Sequence, residues 1–356
     1  GNLSLKVKTS NLVDAFIDYN NARNRWEKDE SKLTVLSIDE KVIEPELKQL
    51  VLSNRIVIED DRVYTKDMYL YEESVAYKIR ELIANKVKVS NVDTVKLLND
   101  YLSKNNISLE EKQREAVLTA SSSLGGFMII DGSAGCGKTF SLKIALELIK
   151  SVYASNNSYF ESIILAPTGK ASQVAQKATN MESATIHRAL RYNPTKGFYY
   201  NSSNYLPYDC IILDESSMLD IELAKNLFDA ISPKTKVIFL GDTKQLPSVG
   251  AGNVLKDLIN SKVVEVVTLN VVKRQGVDSG IIKNANKIIA GDMVSSEKET
   301  QDAYVYKAND ADDCAKKILT IMERLLVKYR IDEIQVLSPQ RAGTVGVEYL
   351  NFIIQE

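Results

Sequence analysis

The stretch DGSAGCGKT, residues 131–139, directly follows the apolar run GFMII at residues 126–130. It contains Gly132, four further residues, Gly137, Lys138 and Thr139, which is the complete P-loop pattern. In such a loop glycine lets backbone N–H groups turn toward phosphates, and the next helix adds the positive end of its dipole. The pattern predicts a strand, a nucleotide-binding loop and a helix over about residues 138–151. The alternative is a strand-to-helix turn that needs glycine for backbone reasons alone.

The chemistry of the loop residues indicates the ligands. Lys138 would reach the β and γ phosphates of a nucleotide, and the Thr139 hydroxyl would hold Mg²⁺. We therefore predict ATP and Mg²⁺ as cofactors. The predicted nucleotide-binding residues of the loop are Gly132, Ser133, Ala134, Gly135, Cys136, Gly137, Lys138, Thr139 and Phe140.

From about residue 106 onward, short β-rich apolar runs alternate with helical segments. Each run is bounded by a loop and followed by enough chain for a crossover helix, which is typical of a buried parallel sheet in an α/β domain. The runs are GFMIID (126–131), SIILAP (162–167), CIILDE (210–215), KVIFLGD (236–242) and EVVTL (265–269). A helix over about residues 311–329 and an apolar strand at residues 335–338 predict a second α/β domain.

The first 105 residues have a different pattern. Apolar residues at helical spacing in residues 12–26 and 71–87 predict helices, and residues 55–70 predict a short hairpin around residues 59–61. We expect a mainly helical N-terminal accessory domain that is winged-helix-like.

Acidic residues close one of the predicted strands. Asp214 would orient Mg²⁺ and Glu215 would polarise an attacking water. Two acids at a strand end are common by chance, but together with a P-loop they indicate a nucleotide-hydrolysing site. Another strand ends in GDTKQLP, residues 241–247, where Gln245 would sense the γ phosphate or position water. The alternative for this segment is a turn with a loop-capping glutamine.

Composition limits the class of protein. The chain has 356 residues, of which 44% are hydrophobic and 26% charged, with a net charge of -2. This is ordinary for a soluble globular protein of two or three domains, without the overall basic character that would itself indicate nucleic acid. No apolar run approaches the roughly 18 residues that span a bilayer, so we expect no membrane partner and a cytoplasmic location. Three distant cysteines and a single histidine indicate neither disulfides nor a zinc site.

Several further motifs resemble a known family when they are taken in order. The segments GSAGCGKT, LAPTGKAS, ATIHRAL, ILDESSML, GDTKQLPSVGAG and VVKRQ are similar to those of superfamily 1 DNA helicases, most nearly the RecD-like branch, the exodeoxyribonuclease V alpha-chain type. The resemblance covers roughly residues 107–356. It implies two RecA-like motor domains, here residues 106–270 and an incomplete second domain over 271–356, after the accessory domain of residues 1–105.

The resemblance also implies roles for two more residues at the nucleotide. Gln113, in SLEEKQREAV (108–117), matches the glutamine that reads the adenine edge in this family. Arg274, in VVKRQ, matches an arginine that reaches the γ phosphate from the second motor domain, where a permanently charged guanidinium stabilises the transition state. The alternatives are a glutamine on a helix surface and an arginine in a surface salt bridge.

Other matching motifs imply contacts with single-stranded DNA. Thr168 and Lys170 in LAPTGKAS would bind phosphates without reading sequence, and Thr185 and His187 in ATIHRAL would contact DNA nearby. A structural histidine is an equal alternative. Turn residues and aromatics in residues 191–201 predict a hairpin where this branch carries its strand-separating pin, with an aromatic tip that stacks on a base or aromatics that anchor the hairpin.

The family's last two motifs have no counterpart after residue 351, so the resemblance implies a motor truncated at its C-terminus. The function it implies is a 5′ to 3′ helicase that couples Mg²⁺-dependent ATP hydrolysis to translocation on single-stranded DNA and separation of duplex forks, in repair or recombination with other subunits. The alternatives are a nucleotide-dependent DNA-binding module that does not unwind by itself and a P-loop ATPase that acts on another polymer or on a protein partner.

Overall fold

A computed structural model describes residues 5–6, 40–59, 62–89, 92–133, 135–155, 159–270, 279–295 and 302–355. The chain divides into two compact units, Gly1–Arg274 and Gln275–Glu356. Within the described ranges, no helix is long and apolar enough to cross a membrane.

The strands of the first unit form one large sheet and three small ribbons or sheets. In chain order they are β1 (Leu5–Lys6), β2 (Ile56–Glu59), β3 (Arg62–Thr65), β4 (Val87–Lys88), β5 (Ser123–Leu124), β6 (Gly126–Gly132), β7 (Ser162–Ala166), β8 (Ser183–Thr185), β9 (Tyr192–Asn193), β10 (Gly197–Phe198), β11 (Cys210–Leu213), β12 (Lys236–Gly241) and β13 (Glu265–Leu269). The large sheet has the order β13-β6-β12-β11-β7-β8 and every neighbouring pair is parallel. The predicted parallel α/β domain is confirmed, with a strand at each of the five predicted runs.

Both faces of the sheet are buried along the central strands β6, β7, β11 and β12, which explains why these strands are continuous apolar runs. Successive side chains of a strand point to opposite faces. Along β6, Phe127 and Ile129 belong to one core and Met128 and Ile130 to the other. The same alternation recurs in the neighbouring strands, so the sheet separates two hydrophobic layers.

Helices cover both layers. The helices of the first unit are α1 (Glu40–Leu52), α2 (Lys66–Ala84), α3 (Thr94–Asn105), α4 (Glu111–Ser121), α5 (Lys138–Ser155), α6 (Gly169–Thr179), α7 (Ile186–Ala189), α8 (Ile221–Asp229) and α9 (Val254–Ser261). Helices α2 and α8 bury apolar residues in one layer, and α3, α4 and α5 do so in the other. Helix α5 begins at Lys138, so the strand, loop and helix order expected around the P-loop is confirmed.

The region before residue 106 packs against the sheet. Strands β2 and β3 form the predicted hairpin, and its turn residues 60 and 61 lie outside the described residues. Helix α2 places Val75, Ile79 and Leu82 in the same core as Phe127. The helical pattern of residues 12–26 also lies outside the described residues. Helix α2 is thus part of the hydrophobic structure that supports the sheet.

The second unit contains α10 (Gly280–Ala290), α11 (Ala311–Leu326) and α12 (Val347–Gln355). Helix α11 agrees with the helix predicted over about residues 311–329. The prediction of a strand at residues 335–338 is wrong, because these residues are described without strand pairing. A strand needs a hydrogen-bonding partner, and the described part of this unit, residues 279–295 and 302–355, has no other strand to supply one.

Candidate active site

The predicted site residues lie where strands of the parallel sheet end. The P-loop follows β6, Asp214 follows β11, and Gln245 follows β12. Thr168 follows β7, while Thr185 is the last residue of β8. Because the strands are parallel, all these carboxyl ends lie along one edge of the sheet, where ligands of open α/β sheets bind.

The P-loop holds its lysine over its own backbone. The Lys138 ammonium donates to the carbonyl oxygens of Gly132 and Ser133, the latter at 3.4 Å. The loop also closes on itself, since the Cys136 N–H donates to the Ser133 carbonyl oxygen at 3.3 Å. A positive charge is therefore fixed at the centre of a loop whose next residues begin α5.

Gln113 braces this loop from α4. Its side chain is 3% exposed, its Nε2 donates to the Cys136 carbonyl oxygen at 3.0 Å, and its Oε1 accepts from the Glu110 N–H at 3.2 Å. Gly137 has a φ of +92°, and a Cβ at that position would overlap the Gln113 amide. The close approach of loop and glutamine thus requires glycine, and the predicted adenine contact of Gln113 remains a prediction.

A cavity of about 380 Å³ joins these groups. Besides predicted residues it is lined by Val174, Ala175 and Ala178 of α6, which sequence reasoning did not assign. The lining residues that had been predicted are Gln113, Ser133, Gly135, Gly137, Lys138, Thr139, Phe140, Asp214, Glu215 and Gln245. The cavity thus brings the P-loop, the acidic pair and Gln245 together.

The acidic pair is electrostatically coupled to the P-loop. Burial raises the pKa of Asp214 above its ordinary value, opposed by the Glu215 N–H, 3.0 Å from Asp214 Oδ1, and by the Lys138 ammonium. Burial, followed by the charge of Asp214, raises the pKa of Glu215, and Lys138 again opposes the rise. Two carboxyl groups facing one ammonium leave an excess negative charge, which favours a bound divalent cation.

The backbone of Glu215 is held in an uncommon conformation. Its φ of +53° and ψ of +41° lie in the left-handed region, which non-glycine residues seldom occupy. Next to it, Ser216 Oγ donates to the Leu240 carbonyl oxygen at 2.8 Å, which ties the loop after β11 to β12. Such local strain clusters at functional sites.

Gln245 is oriented by a neighbouring aspartate. Its Nε2 donates to Asp242 Oδ2 at 3.5 Å, and its N–H donates to the Asp242 carbonyl oxygen at 3.1 Å. Asp242 is buried and also accepts from the Lys244 N–H at 3.0 Å. Asp242 therefore shapes the turn that was the alternative for this segment and also holds Gln245, a role that the sequence did not assign to it. The sequence signal for this role is the position of Asp242 three residues before the glutamine.

A second cavity of about 380 Å³ lies between β3, α2 and α9. It contains Arg62 with Glu72 and Asp257, and burial is the largest cause that raises the pKa of each of these two carboxyls. The lining of this cavity lacks the P-loop pattern, so the nucleotide is assigned to the P-loop cavity.

The residues predicted to contact DNA lie at the β7 and β8 end of the same edge. Thr168 Oγ1 accepts from the Ala171 N–H at 3.3 Å and Thr185 Oγ1 accepts from the Arg188 N–H at 3.2 Å. Both hydroxyls therefore cap helices, and Lys170 is exposed beside the first cap. Their predicted DNA contacts remain predictions.

His187 is exposed but packs on the predicted hairpin. Its ring lies edge-on to Tyr192 at a centroid distance of 5.6 Å and 5.9 Å from Phe198. Strands β9 and β10 pair antiparallel, and Asn193 Oδ1 closes the turn by accepting from the Thr195 N–H at 2.9 Å. The turn, residues 194–196, contains no aromatic side chain, and Phe198 and Tyr200 pack against the core. Of the two alternatives, the structure therefore favours aromatics that anchor the hairpin.

Two predicted residues fall outside the described residues. They are Ala134 of the P-loop and Arg274, the arginine matched to the γ phosphate. Their predicted roles stay predictions. In the part of the chain that the structure describes, no group of three or more His, Cys, Asp or Glu side chains is arranged to hold a metal ion by itself, so a Mg²⁺ ion here would depend on Thr139, Asp214 and the nucleotide phosphates together.

Known proteins are similar to part of this chain. The AAA domain family matches residues 108–310. The ATP-dependent RecD2 DNA helicase of Deinococcus radiodurans is 31% identical over 229 residues, which cover 64% of this chain and 30% of that protein. The RecBCD enzyme subunit RecD of Mycolicibacterium smegmatis is 34% identical over 168 residues, 42% of this chain and 30% of that protein. The chain therefore spans about a third of the length of these relatives.

A solved structure, the Pif1 helicase from Candida albicans, is 20% identical and overlaps 63% of this chain and 55% of its own, with a TM-score of 0.40. The family match covers more than half of the chain and includes the P-loop, the acidic pair and Gln245. The chain belongs to the AAA domain family, and its predicted resemblance to RecD-like superfamily 1 helicases is confirmed.

Proposed function

We propose that this chain forms the nucleotide-hydrolysing part of a RecD-like, ATP-dependent DNA helicase. The observation that carries the proposal is the cavity in which Lys138, Asp214, Glu215 and Gln245 meet at the carboxyl edge of a parallel sheet. The relative named as an ATP-dependent RecD2 DNA helicase supports the DNA substrate. Movement from 5′ to 3′, action at forks, a role in repair or recombination with further subunits, and a cytoplasmic location are parts of the same proposal.

The residues of the cavity fit a Mg²⁺–ATP complex. Because residue 137 is glycine, the P-loop backbone can approach the Gln113 amide, where a Cβ would overlap it. The Lys138 ammonium lies over the carbonyl oxygens of the loop. Thr139 would offer a hydroxyl and Asp214 a carboxylate to Mg²⁺. Bound Mg²⁺ would supply charge stabilisation for phosphoryl transfer.

The protein's own groups divide the work around that complex. Glu215 would accept a proton from the attacking water, a task for which a carboxylate with a raised pKa is better suited than an ordinary one. Gln245, held by Asp242, would orient the same water or sense the terminal phosphate. Arg274 is proposed from the motif alone to complete the charge stabilisation.

Hydrolysis stimulated by single-stranded DNA tests the proposal. We would measure ATP turnover with and without oligonucleotide for the wild type, for Lys138→Ala, and for Lys143→Ala as a control, since Lys143 is an exposed lysine of the same helix. We expect Lys138→Ala to lose at least about a hundredfold in turnover, because the charge over the loop is removed, while Lys143→Ala keeps it. DNA-stimulated turnover by Lys138→Ala at the wild-type rate would refute the assignment.

One observation favours a second function for this stretch of chain. The described residues of the second unit contain helices but no sheet, and a RecA-like motor domain needs one. A nucleotide-dependent DNA-binding module that does not unwind by itself is therefore the second candidate. Strand displacement from a forked duplex distinguishes the two, because ATP-driven unwinding excludes the module and binding without unwinding supports it.

A further inference from the structure

The first residue of DGSAGCGKT is not part of the P-loop pattern and does not line the cavity. Asp131 lies near the end of β6, opposite Gly241 of β12 in the sheet register. Its Oδ1 accepts from the Thr243 N–H at 3.1 Å and its Oδ2 accepts from the Thr243 hydroxyl at 3.4 Å. Both carboxylate oxygens thus hold one residue of a neighbouring loop.

That residue belongs to the turn that presents Gln245. Thr243 lies between Asp242 and Lys244 in the chain, and the Lys244 N–H donates across it to Asp242 Oδ1 at 3.0 Å. The Gln245 N–H and side-chain amide both donate to Asp242. Asp242 stabilises the turn by hydrogen bonds inside it, and Asp131 binds the turn from β6, the strand that leads into the P-loop.

We infer that Asp131 is a positioning residue, which fixes Gln245 relative to Lys138 by holding Thr243. The inference rests on the proposed function and deepens it. Since Asp131 immediately precedes Gly132, a displacement of the P-loop is transmitted to the Gln245 turn through two hydrogen bonds. Asp131 acts through Gln245 and does not touch the nucleotide.

The test separates positioning from general stability. Asp131→Ala removes both bonds, whereas Asp131→Asn keeps an oxygen that accepts from the Thr243 N–H. Asp209→Ala is the matched control, because Asp209 Oδ2 accepts from the Glu161 N–H at 2.9 Å at the opposite edge of the same sheet. Hydrogen exchange of residues 240–247, affinity for a fluorescent ATP analogue, and DNA-stimulated turnover are measured for each protein.

We expect faster exchange at residues 240–247 in Asp131→Ala alone. Turnover in that variant should fall about ten- to a hundredfold with the KM for ATP within about threefold, because misplacement of a positioned group lowers the rate more than binding. Asp131→Asn should restore most of the turnover. In a Gln245→Ala background, Asp131→Ala should lower turnover by less than about twofold, because the effects of two coupled residues are not additive.

Three results would overturn the inference. They are unchanged exchange in Asp131→Ala, full additivity with Gln245→Ala, or a loss of turnover in Asp209→Ala equal to that in Asp131→Ala. Should the wild type hydrolyse no ATP with any DNA, the proposed function fails, while the exchange measurement still decides whether Asp131 holds the Gln245 turn.

Discussion

Replacement of Gly137 by alanine tests the P-loop cradle most directly. Gly137 has a φ of +92°, and a Cβ there would overlap the Gln113 amide. A left-handed backbone costs an L-residue roughly 1–2 kcal/mol. Displacing Gln113 from the Cys136 carbonyl oxygen, a buried bond of 3.0 Å, adds about 1–3 kcal/mol when a donor is left unsatisfied. The combined cost is about 2–4 kcal/mol when partial relaxation is allowed.

This free-energy cost can lower the stability of the folded protein, its affinity for nucleotide, or both. If the loop keeps its shape without nucleotide, the cost lowers the free energy of unfolding in urea. If the loop relaxes, the same free energy is needed to restore its shape on binding, which weakens nucleotide affinity by roughly 30- to 700-fold, at 1.4 kcal/mol for each factor of ten. The two losses should therefore sum to about 2–4 kcal/mol, measured by urea titration and by titration with a fluorescent ATP analogue.

Two variants make the result specific. Gly197→Ala, at a φ of +75° with nothing within 4 Å of the added Cβ, should show only the backbone cost, about 1–2 kcal/mol in stability, and unchanged nucleotide affinity. In a Gln113→Ala background the Gln113 amide that the new Cβ would overlap is absent, so Gly137→Ala should lose less free energy of unfolding and of binding than it does in the wild type. Wild-type stability together with affinity within twofold for Gly137→Ala would refute the reasoning.

Three other changes have defined outcomes. Glu215→Gln should lower DNA-stimulated ATP turnover by about 10²–10⁴-fold, as expected for loss of a general base, with analogue affinity within threefold; equal turnover would exclude Glu215 as the base. His187→Phe keeps a ring beside Tyr192 and should leave stability within about 1 kcal/mol but weaken single-stranded DNA about three- to tenfold by anisotropy; unchanged affinity would make His187 structural. For Lys236, burial lowers the pKa to about 8, so the folded state binds a proton less tightly than the unfolded chain and stability rises with pH above about 8. Between pH 7 and pH 10 the free energy of unfolding of the wild type in urea should rise by roughly 2–3 kcal/mol relative to that of Lys236→Met. A difference between the two proteins that does not change with pH would show that the charge of Lys236 does not destabilise the folded state.

The strands of the large sheet were predictable because their signal is local. A strand buried on both faces must be apolar at every position, and β6, β7, β11 and β12 are continuous runs bounded by loops. The exception was residues 335–338, where the same apolar signal formed no strand. Strand formation depends on a partner, and no property of those residues indicates whether a partner is present.

The candidate site was predictable in part, for a related reason. Motif spacing identifies the groups that contact a ligand, but the residues that hold those groups come from distant segments. Gln113 meets Cys136 across 23 residues and Asp131 meets Thr243 across 112. Lys236 begins β12 and is 3% exposed, although a charged residue at a strand end is expected to be exposed. The tertiary fold, and no local pattern in the sequence, brings such pairs together.

The sheet order also relates the nucleotide cavity to the predicted DNA contacts. Strand β6, which leads into the P-loop, lies three strands from β7 and four from β8. At about 4.8 Å per strand, the distance from β6 to these two strands is roughly 14–19 Å. Helix α6 spans this distance, since it begins at Gly169 beside Thr168 and lines the cavity with Val174, Ala175 and Ala178. A helix moves largely as a rigid body, so a nucleotide that displaces the middle of α6 also displaces its N-terminus. The proposed coupling of ATP to DNA therefore has a direct physical path within the first unit.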